Sequence, residues 1–189
     1  MKRKIGSLFI ASILLAGCGG GTTAYEAFDN QGQSISDRAN LLYLEEGYTD
    51  PSTLPASTTA TFEGVIAIAT LDESLEVLGD LELIADFNGP GGVAGSATNF
   101  VDETSNPYTG TLTISNGAID RTADINTEFT YSARIDGPLT GASDTYVFDG
   151  FLDGDFIGNE YDYAFGFAEG TVTSDLETSE FTGIFAAER

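Results

Sequence analysis

The sequence predicts an all-β fold, a single eight-stranded antiparallel up-and-down β-barrel. Three observations predict it. Apolar and polar residues alternate with period two from Thr61 to the C-terminus, turn residues interrupt that alternation at roughly 16-residue spacing, and no amphipathic stretch is long enough for a helical crossover. Eight successive strands joined by turns leave no sheet edge exposed once the first pairs with the last.

The strands follow in order. Phe62, Ile66 and Ile68 alternate with smaller residues, and Val65 falls out of phase. Leu81, Leu83, Ala85 and Phe87 alternate with Glu82, Ile84 and Asp86, and Asn88-Gly89-Pro90-Gly91-Gly92 turns the chain into Val93–Phe100. Tyr108, Gly110, Leu112 and Ile114 form the next stripe, and Asn116-Gly117 predicts a hairpin directly after it. Phe129, Tyr131, Ala133 and Ile135 follow, then Tyr146, Phe148 and Gly150. Tyr161, Tyr163, Phe165 and Phe167 make an aromatic stripe, and Phe181, Gly183, Phe185 and Ala187 finish the chain. A β-sandwich of similar strand count is the alternative. A membrane-spanning barrel is disfavoured, because eight strands enclose room only for packed side chains and the many carboxylates would have to fill it.

The N-terminus reads as an address. Met1-Lys2-Arg3-Lys4 precedes an apolar run from Ile5 to Ala16, which is shorter than the roughly 20 residues that span a bilayer. Residues 1–17 are therefore expected to be a signal peptide. Leu15-Ala16-Gly17-Cys18 matches the bacterial lipobox, a resemblance that implies a lipid on Cys18, the single cysteine of the chain. Gly19 follows the cysteine where the lipoprotein pattern uses Asp for inner-membrane retention, so the resemblance implies the outer membrane. Two or more acyl chains anchor stably, at about 0.8 kcal/mol per buried methylene. Residues 18–57 are expected to be a tether, Gly19-Gly20-Gly21-Thr22-Thr23 flexible and Ser36–Leu44 a helical turn or two, with the barrel over residues 58–189.

Composition excludes several chemistries. The 189 residues carry 30 Asp and Glu against 7 Lys and Arg, with no His and no Trp. No triad, general base or metal site can use His, and one Cys makes no intrachain disulfide or zinc cluster. The net charge of −23 repels nucleic acid. With residues 1–17 removed, only Arg38, Arg121, Arg134 and Arg189 remain as bases. Such a surface suits a basic protein partner or a cation, and equally suits adaptation to salt.

Candidate chemistry is sparse. Asp149, Asp153, Asp155, Glu160 and Asp162 form the densest acidic cluster and a weak candidate for a hard cation such as Ca²⁺. The spacing fails the EF-hand pattern, and a solvated hairpin tip explains the cluster better. The stripe Tyr161, Tyr163, Phe165 and Phe167 could stack a ligand or hold haem iron through a tyrosinate, but barrel core is the expected role. No Ser or Thr has a His or Lys base in the mature chain, and no acid pair is singled out for glycoside hydrolysis. Neither a catalytic residue nor a cofactor is expected.

Ala85-Asp86-Phe87-Asn88-Gly89 with Gly95-Ser96-Ala97-Thr98-Asn99-Phe100, and the ending Phe181-Thr182-Gly183-Ile184-Phe185-Ala186-Ala187, resemble the barrel domain of transferrin-binding protein B-like and factor H-binding protein-like surface lipoproteins. The resemblance covers about residues 60–189, and the chain has one barrel and no preceding handle domain, so it does not imply transferrin binding. It implies a lipid-anchored, non-catalytic module that displays a rigid barrel at the surface to a protein, cation or nutrient carrier. A structural acidic envelope lipoprotein without a dedicated ligand is the alternative, and a carrier with its ligand inside the barrel ranks below both.

Overall fold

The structure, a computed structural model, describes residues 22–72, 74–174 and 177–189. The expected signal peptide and Cys18 lie outside these residues. The chain runs α1 (Ala24–Glu46), a 3₁₀ turn (Pro51–Thr53), then β1 (Thr59–Thr70), β2 (Glu76–Asp86), β3 (Gly92–Asp102), β4 (Thr109–Gly110), β5 (Leu112–Ile119), β6 (Tyr131–Thr140), β7 (Thr145–Ile157), β8 (Tyr163–Thr173) and β9 (Thr178–Glu188). All strand pairs are antiparallel, between neighbours in the chain once the two-residue β4 is set aside. β4 is an added rung on β6. β1 pairs with β9 from Glu63↔Glu188 to Thr70↔Phe181, and this closes the eight long strands into an up-and-down barrel.

Period-two alternation decides which side chains enter. Phe62, Ile66, Leu81, Leu83, Phe87, Ile114, Tyr131, Ile135, Phe148, Leu152 and Phe156 all belong to one buried core inside the barrel. The neighbouring positions Glu63, Glu82, Arg134 and Asp149 face outward and are exposed. A membrane-spanning barrel carries a continuous apolar band on the outside, and these charged residues interrupt any such band here. Phe156 is the hub: its ring lies 5.5 Å from Phe62, 5.5 Å from Phe87 and 4.9 Å from Tyr131. Glycine makes room for these rings. A Cβ on Gly154 would lie 2.6 Å from the Tyr131 hydroxyl, and one on Gly166 would lie 2.7 Å from the Phe185 ring.

Two expectations are corrected here. Asn116-Gly117 does not end its strand: the β5–β6 register shifts between Ser115 and Ala118, Asn116 takes φ +52°, and the strand continues to Ile119. The pair forms a bulge, because a Cβ on Gly117 would lie 2.1 Å from the Val93 carbonyl oxygen of adjacent β3. The true connection is 120–130.

The larger correction is the tether. Ala24–Glu46 is one 23-residue helix packed on the barrel wall, not a turn or two in a loop. Thr23 and Glu26 form a reciprocal capping box (Glu26 N–H to Thr23 Oγ1 3.2 Å, Thr23 N–H to Glu26 Oε2 2.9 Å). Phe28, Gly32, Ile35, Ala39 and Leu42 recur at four- and three-residue steps, a single apolar stripe. Ile35 and Ala39 pack on Ile157, Phe165 and Ala186, outward residues of β7, β8 and β9. Both helix ends are tied to the barrel. The Tyr25 N–H donates to Ser105 Oγ (3.1 Å) and its hydroxyl to Glu76 (2.6 Å); Glu46 accepts from the Asn159 N–H (2.7 Å), and the Thr49 N–H donates to the Phe156 carbonyl (2.9 Å). No helix among the described residues is long and apolar enough to cross a membrane.

A short device recurs in the connections. Asp50, Asp72, Asp86, Asp102, Asp120 and Asp124 each accept the backbone N–H two residues on, and each also accepts from that residue's hydroxyl or amide. The sequence signature is Asp-x-Ser/Thr/Asn. Hydrogen bonds from Ser52 hold the Asp50 carboxyl below its ordinary value. Bonds from Ser179 and Ser74 do the same for Asp72, those from Asn88 for Asp86, and those from Thr122 for Asp120.

Two outcomes are expected. A carboxyl whose folded pKa is depressed contributes stability that is fully present above the unfolded value, about 3.9, and is lost as pH falls through the folded value. Relief of self-repulsion near the pI acts in the other direction. Urea midpoints of the parent and Asp72→Asn measured from pH 6 to pH 2 should therefore differ most above about pH 4 and converge below it. Separately, Phe156→Ala should cost about 3–5 kcal/mol in urea unfolding, whereas Phe151→Ala, on the outer wall of the same strand, should change it by no more than about 0.5 kcal/mol.

Candidate functional site

The five acids of the sequence cluster take four different positions. Asp149 lies mid-strand on β7, exposed, and receives Arg134 Nη2 at 3.0 Å, while Arg134 Nε reaches Asp136 at 3.4 Å. Asp153 lies outward on β7, between Ser132 of β6 and Phe167 of β8. Glu160 and Asp162 alone belong to the β7–β8 turn, 3.7 and 3.8 Å from Arg189, whose guanidinium also lies 4.6 Å from the centre of the Tyr161 ring. The hairpin-tip reading is thus corrected for Asp149, Asp153 and Asp155. Among the described residues, no three acids converge as a cation would require. β7 is a 13-residue strand, and its rise of about 3.4 Å per residue spreads alternate acids along the wall.

Asp155 is the exception in environment. It faces outward yet is only 3 % exposed. Its Oδ1 accepts both the Thr130 N–H (3.0 Å) and the Thr130 hydroxyl (2.9 Å), which fixes the end of the 120–130 connection to β7. Tyr48, in the segment that leaves α1, is pushed up to about 12 by burial and by the Asp155 charge. This group has a structural arrangement: a buried carboxylate that accepts two bonds from Thr130 lies between the helix exit and a loop. The Tyr131 hydroxyl, inside the barrel beside Gly154, has no hydrogen-bond partner among the described residues, and burial raises its pKa well above the ordinary value. It remains a neutral phenol.

The aromatic stripe is corrected as well. Tyr163, Phe165 and Phe167 face outward, and the small residues between them, Ala164, Gly166 and Ala168, face the core. Phe165 is covered by α1, and Phe167 is 44 % exposed. The expected phase is inverted because rings from the adjoining strands, Phe156 of β7 and Phe185 of β9 with Tyr131 of β6, already fill the barrel beside β8. β8 can therefore contribute only small residues inward.

Three features were not anticipated from the sequence. Arg121 donates from Nη1 to the Leu54 carbonyl (2.6 Å) and from Nη2 to the carbonyls of Pro55 (2.6 Å) and Phe87 (2.9 Å), pinning the segment whose Leu54 plugs one barrel end. Between α1 and the wall lies an apolar cleft of about 80 Å³, lined in part by Phe28, Val65, Leu78 and Ile184, with Asp29 and Gln33 supplying polar atoms. On the wall itself, Phe151, Phe167 and Ile184 are 56, 44 and 40 % exposed. Val65, out of phase in its strand, was the available signal: an apolar residue on the polar side of a half-buried strand marks a second covered face.

No family model matches the chain, and neither a curated protein nor a solved structure does.

Asp155→Ala should destabilise by about 1–3 kcal/mol, because the buried Thr130 donors lose their acceptor. Asp155→Asn, which keeps an oxygen at Oδ1, should lose less. Amide exchange at Thr130 should accelerate in the alanine variant before global unfolding; unchanged exchange would show that this contact does not hold the loop.

Proposed function

We propose that the chain is a lipid-anchored acidic β-barrel lipoprotein, held through Cys18 in the outer membrane and acting as a non-catalytic surface binding module for a basic protein, with a cation or nutrient carrier as the other ligand classes. The observation that carries this reading is the filled barrel. Phe62, Phe87, Tyr131, Phe156 and Phe185 occupy the interior, so contact with a partner falls to the outer wall and the loops. The barrel interior in turn gives a solute carrier no support. Among the described residues no three acids gather as a metal site would need, which gives metal-assisted catalysis no support. Thirty acids against four arginines in the mature chain favour a basic partner and disfavour nucleic acid.

The lipobox supports the anchor, and the resemblance to transferrin-binding protein B-like lipoproteins supports display at the surface. Metabolic labelling with palmitate should mark the chain, and Cys18→Ser should abolish the label and release the protein from the membrane fraction. Protease added to intact cells should remove the barrel. Protection until lysis would place it in the periplasm and leave the structural envelope reading in its place.

A further inference from the structure

The outer wall carries an apolar row that the barrel's own packing does not require. Strand register places Phe167 of β8 opposite Ile184 of β9, Ile184 opposite Ala67 of β1, and Ala67 opposite Leu78 of β2. Ile184, Ala67 and Leu78 also line the cleft beneath α1, so row and cleft form one continuous surface. Phe151 extends it toward β7, since its register partner Glu169 lies two residues beyond Phe167 on β8, a diagonal spacing that aromatic rings reach. Phe129 stands 6.2 Å from Phe167. Single exposed apolar residues are ordinary on a protein surface, but a contiguous exposed row that leads into a cleft marks an interaction site.

Acids predominate along this row. Asp153 is the register partner of Phe167 on one side, Glu169 lies beside Phe151, and Glu76 and Ala69 belong to the next rung beyond Ala67 and Leu78. Asp29 stands at the cleft. The one nearby base, Arg134, is engaged by Asp136 and Asp149. A second copy would bring like charges together, and so would an anionic lipid surface. The barrel is closed along this wall, with no strand edge between β7 and β2 for a partner strand to extend. Recognition must therefore be through side chains.

We propose that this row, Phe151–Phe167–Ile184 leading into the cleft beneath α1, docks a cationic amphipathic segment of a partner protein. Aromatic or aliphatic side chains of the segment cover the row and enter the cleft, and its Lys or Arg residues meet Asp29, Asp153 and Glu169. The inference rests on the binding-module reading and gives it a site and a ligand chemistry.

The test uses the full chain in detergent and three synthetic peptides. One alternates lysine with leucine and phenylalanine, one alternates lysine with serine, and one replaces each lysine of the first with glutamate. Titration calorimetry near physiological salt should show binding of the first, with the other two weaker by about tenfold or more. Phe151→Ser/Phe167→Ser should weaken the first peptide by about tenfold, and Leu44→Ser, an exposed change on the far part of α1, should leave it unchanged. Ile184→Lys places a repelling charge on the row and should act in the same direction if the double variant does not fold. Equal binding by parent and row variants, or equal binding of the lysine–serine peptide, overturns the site while leaving a basic-partner module in place. Failure of both lysine peptides to bind overturns the site and the binding reading together. Self-association abolished by the row variants overturns the proposal in favour of a second copy.

Discussion

Closing eight strands into a barrel leaves an interior just wide enough for side chains, and everything else in this protein follows from how that space is filled. The rings of Phe62, Phe87 and Tyr131 meet around Phe156, and adjoining inward positions such as Gly154 and Gly166 are reduced to glycine to make room for rings. Large and small residues thus interdigitate, as close packing demands. The same economy of space removes the interior as a binding cavity and turns the large apolar residues of β8 outward. An aromatic stripe that reads as core becomes a surface.

That outward surface needs cover, and α1 supplies part of it. Val65, Phe165, Ala186 and Ile157 are apolar on the side of the sheet that faces away from the barrel, and Ile35 and Ala39 lie on three of them. The helix stripe is narrow and contains Gly32, which faces Val65 of β1; a Cβ there would be in ordinary contact at 3.6 Å. Hydrogen bonds at both ends hold the helix in register with the strands. Its cover stops short of Phe167 and Phe151, so the wall divides into a buried half and an open half.

Charge is managed by dispersal and by local donors. Long strands space the acids along the wall, and the loop aspartates spend their acceptor capacity on the backbone of their own turns. Many of the acids therefore stabilise chain reversals as well as adding to the field around the molecule. Among the described acids only Asp155 is buried, and its Oδ1 accepts two hydrogen bonds from Thr130. Asp153 and Glu169 are among the acids that flank the open apolar row.

Periodicity by itself determined the eight strands, their order and their antiparallel connection, because a half-buried strand must alternate and a short turn admits only a neighbouring antiparallel partner. It also identified the inward faces of β2 and β9 and the inward Tyr131, Ala133 and Ile135 of β6, but placed Phe129 with them, and that ring instead meets the outward Phe167. It did not determine the inward face of β8, since alternation of large and small residues does not say which set the opposite wall has room for. It missed α1, whose signals were a capping box at Thr23 and Glu26 and a stripe interrupted by Gly32. The helix is held because the apolar outer wall of β1, β8 and β9 gives it something to cover. The five acids from Asp149 to Asp162 were adjacent in sequence, but strand rise separated them in space. Local chemistry is written in the order of residues; which of two apolar faces is filled, covered or left open depends on the volume that distant strands contribute, and only the closed barrel decides that.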